Sequence, residues 1–344
     1  MRVKTGSISM ERFYFSHEIR LEKEVEEIFT LLFEQRENSF FRKEPIYQEA
    51  EFRFGRGVYA SIIGFPQHDK RMGHMGAAFS IGKRHSELYL RLSSLRQYLV
   101  YNSKNKENDK YEVDNRFLKI PIMHRMEIQH LQEGAYFFRF DLKLEEPTEF
   151  ERFAPATIEK YSGNELETTF EWLEIEDRII GISLSSDRER REQENLGTNT
   201  NPDLEQELKL QWLEVYYAFP MFDKDRLTLG LMGNHFENRI DSPIATERYR
   251  MRLLSRQLYG LFEKSLGKKI QAIYSIQGGE MELLKENLSK DEFLDKSSIQ
   301  LKAGIGVVWF EESSYRIFLN STWDLDLFQE RQWDGGSIEV QFKF

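Results

Sequence analysis

The chain contains no cysteine among its 344 residues, which excludes a disulfide framework and any metal site built from thiolates. It also lacks any run that approaches the roughly 20 apolar residues of a membrane-spanning helix. No sustained basic tract offsets its net charge of −10, so we expect no nucleic-acid partner. Residues 1–20 contain no apolar secretory segment, and we expect any export signal to have been removed or to precede this sequence.

Aromatic residues are abundant, with 27 Phe and 15 Tyr, and apolar and polar residues alternate along much of the chain. The last eight residues alternate strictly up to a final phenylalanine. The apolar positions of this ending are Ile338, Val340, Phe342 and Phe344. It resembles the C-terminal assembly signal of Gram-negative outer-membrane β-barrels. The resemblance implies a bacterial outer-membrane location, with the barrel assembly machinery, outer-membrane lipids and lipopolysaccharide as partners.

Upstream of that ending, alternating segments follow one another in pairs. Many exceed the usual globular strand of about 5–6 residues and match a tilted bilayer span of about 9–11 residues. The pattern predicts an all-β fold, a transmembrane antiparallel up-and-down β-barrel of about 16–18 strands, because even numbers prevail among such barrels. Residues 1–344 would form this single domain, with residues 1–10 either a disordered segment or an incomplete first strand.

Short and long connections alternate along the chain, as expected of a barrel with short periplasmic turns and long extracellular loops. Long polar connections are predicted at 102–116, 146–164, 187–205, 238–246 and 281–297. The last of these has helical periodicity and predicts a short helix, which either folds into the pore or, as we favour, lies exposed on the surface.

If apolar side chains face lipid, the alternate positions face a charged lumen. Along the segment 247–263 this parity predicts inward arginines, namely Arg248, Arg250, Arg252 and Arg256. Another segment contributes inward acids, namely Glu165, Glu167 and Glu171. Opposite charges on two walls would orient and select charged solutes, although they also serve simply to solvate the lumen. Aromatics near the strand ends, including Trp172, Trp212, Tyr216 and Trp309, are expected in interfacial girdles.

Residues 234–238 read Asn-His-Phe-Glu-Asn. This stretch is similar to the Asn-His-x-Ser-Asn-Gly motif of outer-membrane phospholipase A, a barrel enzyme. His235 matches the catalytic histidine of that family and is expected on the lipid-facing side, but Glu237 stands where the family has its serine. Because a carboxylate cannot replace the serine nucleophile of acyl transfer, we expect no enzymatic activity.

The sequence thus predicts a porin-like channel that passes small hydrophilic solutes, with a preference for anions if the arginines line the pore. Two alternatives stay open. One is an export conduit or sleeve for a polymer or a partner protein, which would fill the lumen or approach from the periplasm. The other is a non-conducting structural or adhesion barrel. No cofactor and no metal site are expected.

Overall fold

The computed structural model describes residues 2–9, 12–26, 29–38, 46–66, 73–82, 87–96, 115–119, 122–153, 156–173, 177–196, 203–222, 224–242, 248–287, 292–311, 315–325 and 333–342. Almost all of them lie in strands. The first nine strands are β1 (Arg2–Ser9), β2 (Arg12–Glu26), β3 (Phe29–Asn38), β4 (Ile46–Arg56), β5 (Val58–Pro66), β6 (Gly73–Ile81), β7 (Leu88–Arg96), β8 (Asn115–Lys119) and β9 (Ile122–Gln132). The others are β10 (Tyr136–Phe153), β11 (Ala156–Leu173), β12 (Ile179–Asn195), β13 (Leu204–Phe222), β14 (Asp225–Asp241), β15 (Tyr249–Ser265), β16 (Ile270–Asn287), β17 (Glu292–Glu311), β18 (Tyr315–Asp324) and β19 (Trp333–Phe342). Among the residues so described, no helix has the length and apolarity of a membrane span.

The strands form one closed antiparallel sheet. Each pairs with its neighbours in chain order, and β1 pairs with both β2 and β19, which closes the ring. Because β8 and β9 both pair along β10, β8 continues the line of β9, and the nineteen strands therefore occupy eighteen positions. That number is the larger of the two even numbers predicted, and the all-β barrel is confirmed.

The two faces of the sheet differ in polarity. The chain begins and ends at the same end of the barrel. In the half of each strand nearer to that end, large apolar side chains point outward; Leu229 and Leu231, for example, are 48% and 56% exposed. Between them Gly230 lies inward, under the ring of Tyr259. Because the ring is closed, the backbone hydrogen-bonding groups in this zone pair between strands, and the apolar outer surface is suited to contact with lipid chains. We call this outward zone the apolar belt.

Strand length divides the barrel into two sectors. The strands β10–β17 contain 17–20 residues each, whereas β3–β7 contain 9–11. Both sets start from the end that carries the short turns, so β10–β17 rise well beyond the other wall on the opposite, extracellular side.

The long strands overturn most of the predicted loops. Residues 146–153, 156–164, 187–195 and 281–287 are strand. The helix expected within 281–297 does not form in the described residues 281–287 and 292–297, where β16 and β17 pair with each other. These segments are highly charged, and charge alone does not distinguish a loop from a strand whose outward face lies in water. The predicted connection 102–116 falls outside the described residues except for the first two residues of β8.

Two glycines on opposite sides of the ring permit sharp folds of the sheet. A Cβ on Gly76 of β6 would lie 2.1 Å from the carbonyl oxygen of Ser94, and one on Gly279 of β16 would lie 2.0 Å from that of Arg256. No other residue type tolerates so close an approach of the neighbouring strand. Nine of the eighteen positions separate β6 from β16, so these two close approaches of neighbouring strands lie on opposite sides of the ring.

The chain ends pair in the sheet. In β19, Ile338 and Val340 pair with Leu319 and Ile317 of β18, and Phe342 pairs with Tyr315; Phe344 lies outside the described residues. Residues 2–9 form β1, which pairs along β19. The terminal segment therefore occupies the closing seam of the barrel.

Candidate functional site

The inward face of the short-strand sector holds a network of buried charges. We call it the corner cluster, and its members are Glu51 and Arg53 of β4, Arg91 of β7, Arg125 and Glu127 of β9, and Asp141 of β10. Arg91 joins its two halves, because its guanidinium lies 3.0 Å from Glu51 and 3.0 Å from Glu127. Arg125 in turn binds Asp141 through two nitrogens at 2.9 and 2.6 Å.

The corner cluster forms because the sheet folds sharply beside it. Between Arg91 and Glu51 lie the small inward residues Ser61, Ala78 and Ser80, flanked by the buried Tyr59 and Ile63 of β5. They let Arg91 reach across two strands to Glu51 of β4. Its charged side chains are only 2–12% exposed, so each charge depends on its partners for the solvation that water would otherwise provide.

The inward face of the long-strand sector is more open. Glu165, Glu167 and Glu171 of β11 lie on it, because they pair with the inward residues of β10 and β12. The Glu167 carboxylate is 46% exposed and lies 3.6 Å from Arg139. These acids therefore meet water in the lumen.

Two tyrosines organise the lower part of this open wall. Tyr216 lies over Gly181 and donates to Glu171, and Tyr259 lies over Gly230 in the same way and donates to Glu214. Each ring fills the space that a glycine leaves in the neighbouring strand. Tyr216 and Trp212 thus face inward, which corrects their predicted place in an outer girdle; Trp172, by contrast, is 58% exposed on the outer face.

The arginines of β15 do not line the lumen. Arg252 pairs with Glu237 and Arg256 with Gly233, and both partners share the outward parity of Leu231. Arg250 reaches the outward Glu237 at 3.3 Å, and the Arg256 side chain is 65% exposed. Arg248 precedes β15 and donates to the carbonyl oxygen of Ser242 at 3.0 Å. The predicted inward stack is therefore wrong: the segment lies beyond the apolar belt, where the polar face of the sheet points out to water.

His235 also faces outward, as its parity with Leu231 predicted. Its Nδ1 lies 3.1 Å from the side-chain oxygen of Gln211, and its Nε2 lies 3.9 Å from Glu237. The nearby Ser255 is buried on the opposite, inward face, where its hydroxyl accepts from Asn234 at 3.2 Å. On the outward face, the register partners of His235 are Gln211 and Leu254, and neither is a serine. The hydrolase arrangement is therefore not assembled next to this histidine.

A closed antiparallel sheet with an apolar outer belt and a charged, tyrosine-rich interior defines a transmembrane β-barrel of the bacterial outer-membrane class. No protein-family model and no curated protein matches the chain.

Solved structures with a similar architecture include three from outer membranes. OccK10 (OpdN) of Pseudomonas aeruginosa aligns over 100% of this chain and 97% of its own, at 11% identity and a TM-score of 0.41. A bacterial polysaccharide outer membrane secretin aligns over 100% and 97%, at 8% identity and a TM-score of 0.41. A loop-deletion mutant of OmpT, an outer membrane protein of Vibrio cholerae, aligns over 99% and 96%, at 6% identity and a TM-score of 0.40. Such scores assign neither a family nor a function.

Proposed function

We propose that this barrel is a passive, non-enzymatic channel for small hydrophilic solutes. The observation that carries the proposal is the polar inner face of the long-strand sector, where water-accessible acids of β11 line the wall. Every described residue belongs to a strand of the wall or to a turn, and thus no described segment crosses the interior.

The lumen charge favours cations over anions. Glu165, Glu167 and Glu171 are inward acids of β11, whereas the arginines expected to attract anions lie on the outer surface. A fixed negative wall raises the local concentration of cations in a narrow, water-filled passage. The preference therefore reverses the sign that the sequence suggested.

Ion selectivity in planar bilayers tests the proposal. The reversal potential in a salt gradient is expected to show cation preference, which Glu165→Gln with Glu167→Gln reduces. The matched control replaces Arg250, Arg252 and Arg256 by Ser and is expected to leave selectivity unchanged. Absence of single-channel conductance would instead support the non-conducting or partner-filled alternatives, and a change of selectivity in the arginine variant would contradict the outward placement of those side chains.

A further inference from the structure

Beyond the apolar belt, the polarity of the two sheet faces is inverted. We call this region the outer extension, and it comprises residues 204–211 of β13, 235–241 of β14, 249–256 of β15 and 280–287 of β16. Its outward face carries charges and its inward face carries apolar side chains. The inversion means that the outward face of these strands lies in water, whereas the inward face resembles the core side of a soluble sheet.

The outward face of the outer extension carries many ion pairs. Arg188 donates to Glu207 at 2.6 Å, and Arg239 lies 2.6 Å from Asp241. Partial burial raises the pKa of the Glu207 carboxyl, but hydrogen bonds from Lys209 and Arg188 outweigh it and hold the pKa below its usual range. A charged surface of this kind requires water and cannot face lipid chains.

The inward face of the outer extension carries a continuous row of apolar side chains. Leu210, Phe236, Leu253 and Leu283 are direct register partners across β13, β14, β15 and β16. Leu208 and Met251 flank this row in the adjacent register. All six are half-buried, and together we call them the inner apolar patch.

Two lysines border the inner apolar patch at one end. Lys296 of β17 is the register partner of Leu283, and Lys285 of β16 is the partner of Met251. Both occupy inward positions, and Lys296 is exposed. At the other end, Leu210 is the register partner of the inward Asp187 of β12. The apolar row therefore lies between one carboxyl group and a positively charged border.

The strands opposite the outer extension are too short to cover it. Strands β3–β6 lie across the ring from β13–β16 and contain 9–11 residues, against 17–19. At roughly 3.3 Å per residue, a deficit of six to ten residues makes the extension strands about 20–33 Å longer than the facing strands, which is about 15–25 Å of height at a strand tilt of about 40°. Among the described residues, the six side chains of the inner apolar patch keep part of their surface exposed, so a ligand that enters from outside can reach them.

We propose that the inner apolar patch binds an anionic amphiphile, with its alkyl chain along the row and its headgroup at Lys285 and Lys296. The row crosses three strand spacings of about 4.8 Å each, a span that suits an alkyl chain of medium length. A protein partner fits less well, because a stable interface needs about 800 Å² on each side and the row is only four side chains wide. The proposal goes beyond the channel function and does not depend on it.

Binding of dodecanoate to the barrel in detergent-free lipid nanodiscs tests this inference, with empty nanodiscs as the partition control. Saturable binding above that control is expected. Lys285→Gln with Lys296→Gln should weaken dodecanoate binding by about a hundredfold, since each of the two charge-assisted contacts is worth about tenfold, without weakening binding of dodecyltrimethylammonium. The matched control, Lys209→Gln, removes an outward lysine from the same extension and should leave binding unchanged.

A second variant tests the apolar row itself, independently of the effect of the lysine substitutions on dodecanoate binding. Phe236→Asp puts a charge into the centre of the row and should abolish saturable binding, with Leu253→Gln as a milder version and heat-modifiable gel migration as the check of folding. Binding no greater than in empty nanodiscs, or undiminished binding by folded Phe236→Asp, would overturn the proposal. Single-channel conductance of the same variants separates the two proposals, because loss of binding with intact conductance affects this one alone.

Discussion

The two sectors of this barrel hold their interior charges in opposite ways. In the short-strand sector, Arg91 and its partners are buried and satisfy one another. In the long-strand sector, Glu167 meets water, and beyond the belt Glu237 and Arg250 pair on the outer surface. The same alternation of apolar and polar residues thus occurs in three environments. Its polar face is buried in the corner cluster, exposed to water in the lumen, or exposed to water on the outer surface beyond the apolar belt.

Removal of a corner charge is expected to have the largest effect on stability. Arg91→Ala would leave Glu51 and Glu127 buried without their shared partner, and breaking a buried pair in this way costs about 3–5 kcal/mol. Arg256→Ala removes an arginine that is 65% exposed and pairs only at 3.8 Å, so its cost should stay within about 1 kcal/mol.

Urea unfolding of both variants after refolding into lipid vesicles measures this difference. Equal losses of unfolding free energy in the two variants would mean that the corner is hydrated and that the contrast between the sectors is incorrect.

A smaller effect is expected at the fold of the sheet beside the corner. Gly76→Ala would press a Cβ against the backbone of β7, and relief of such a clash typically costs about 1–3 kcal/mol. Gly233→Ala is the matched control, because its nearest neighbour, the carbonyl oxygen of Ser255, lies 3.9 Å away. The same unfolding measurement applies, and a Gly76→Ala barrel as stable as the control would show that the wall is not sharply bent there.

Much of the fold follows from alternation alone. Alternation predicts that Leu229 and Leu231 share one face, that Glu165 lies on the inner face and that the terminal strand pairs in the sheet. These predictions are possible because, at the barrel end where the chain begins and ends, one face of each strand is continuously apolar. The alternation continues unbroken through Arg250 and Arg252. It therefore predicts that these arginines face the lumen, as polar residues do at the height of the apolar belt. Whether a face of an alternating segment contacts lipid, the lumen or external water depends on the height of that segment in the barrel. That height is determined by the register in which the strands pair.

The corner cluster could not have been found in the same way. Arg91, Arg125 and Asp141 lie on strands that are distant in sequence, and their burial depends on small residues in β5 and β6 and on the glycine that folds the sheet. The alternation places Arg91 and Asp141 on the polar face, but it says nothing about which charges meet. Small inward residues on the strands between two charged strands, such as Ser61 and Ala78, are the sequence signal for such a contact between charges.

On the outer face of β14, the environment passes from lipid to water between Leu231 and Arg239, whose side chain is 51% exposed. Since the chain has no cysteine, a single cysteine at either position can be labelled without background. In reconstituted vesicles, a membrane-impermeant maleimide should label Arg239→Cys readily and leave Leu231→Cys unlabelled until detergent is added. Equal labelling of both positions, or protection of Arg239→Cys, would contradict the placement of the lipid boundary between them.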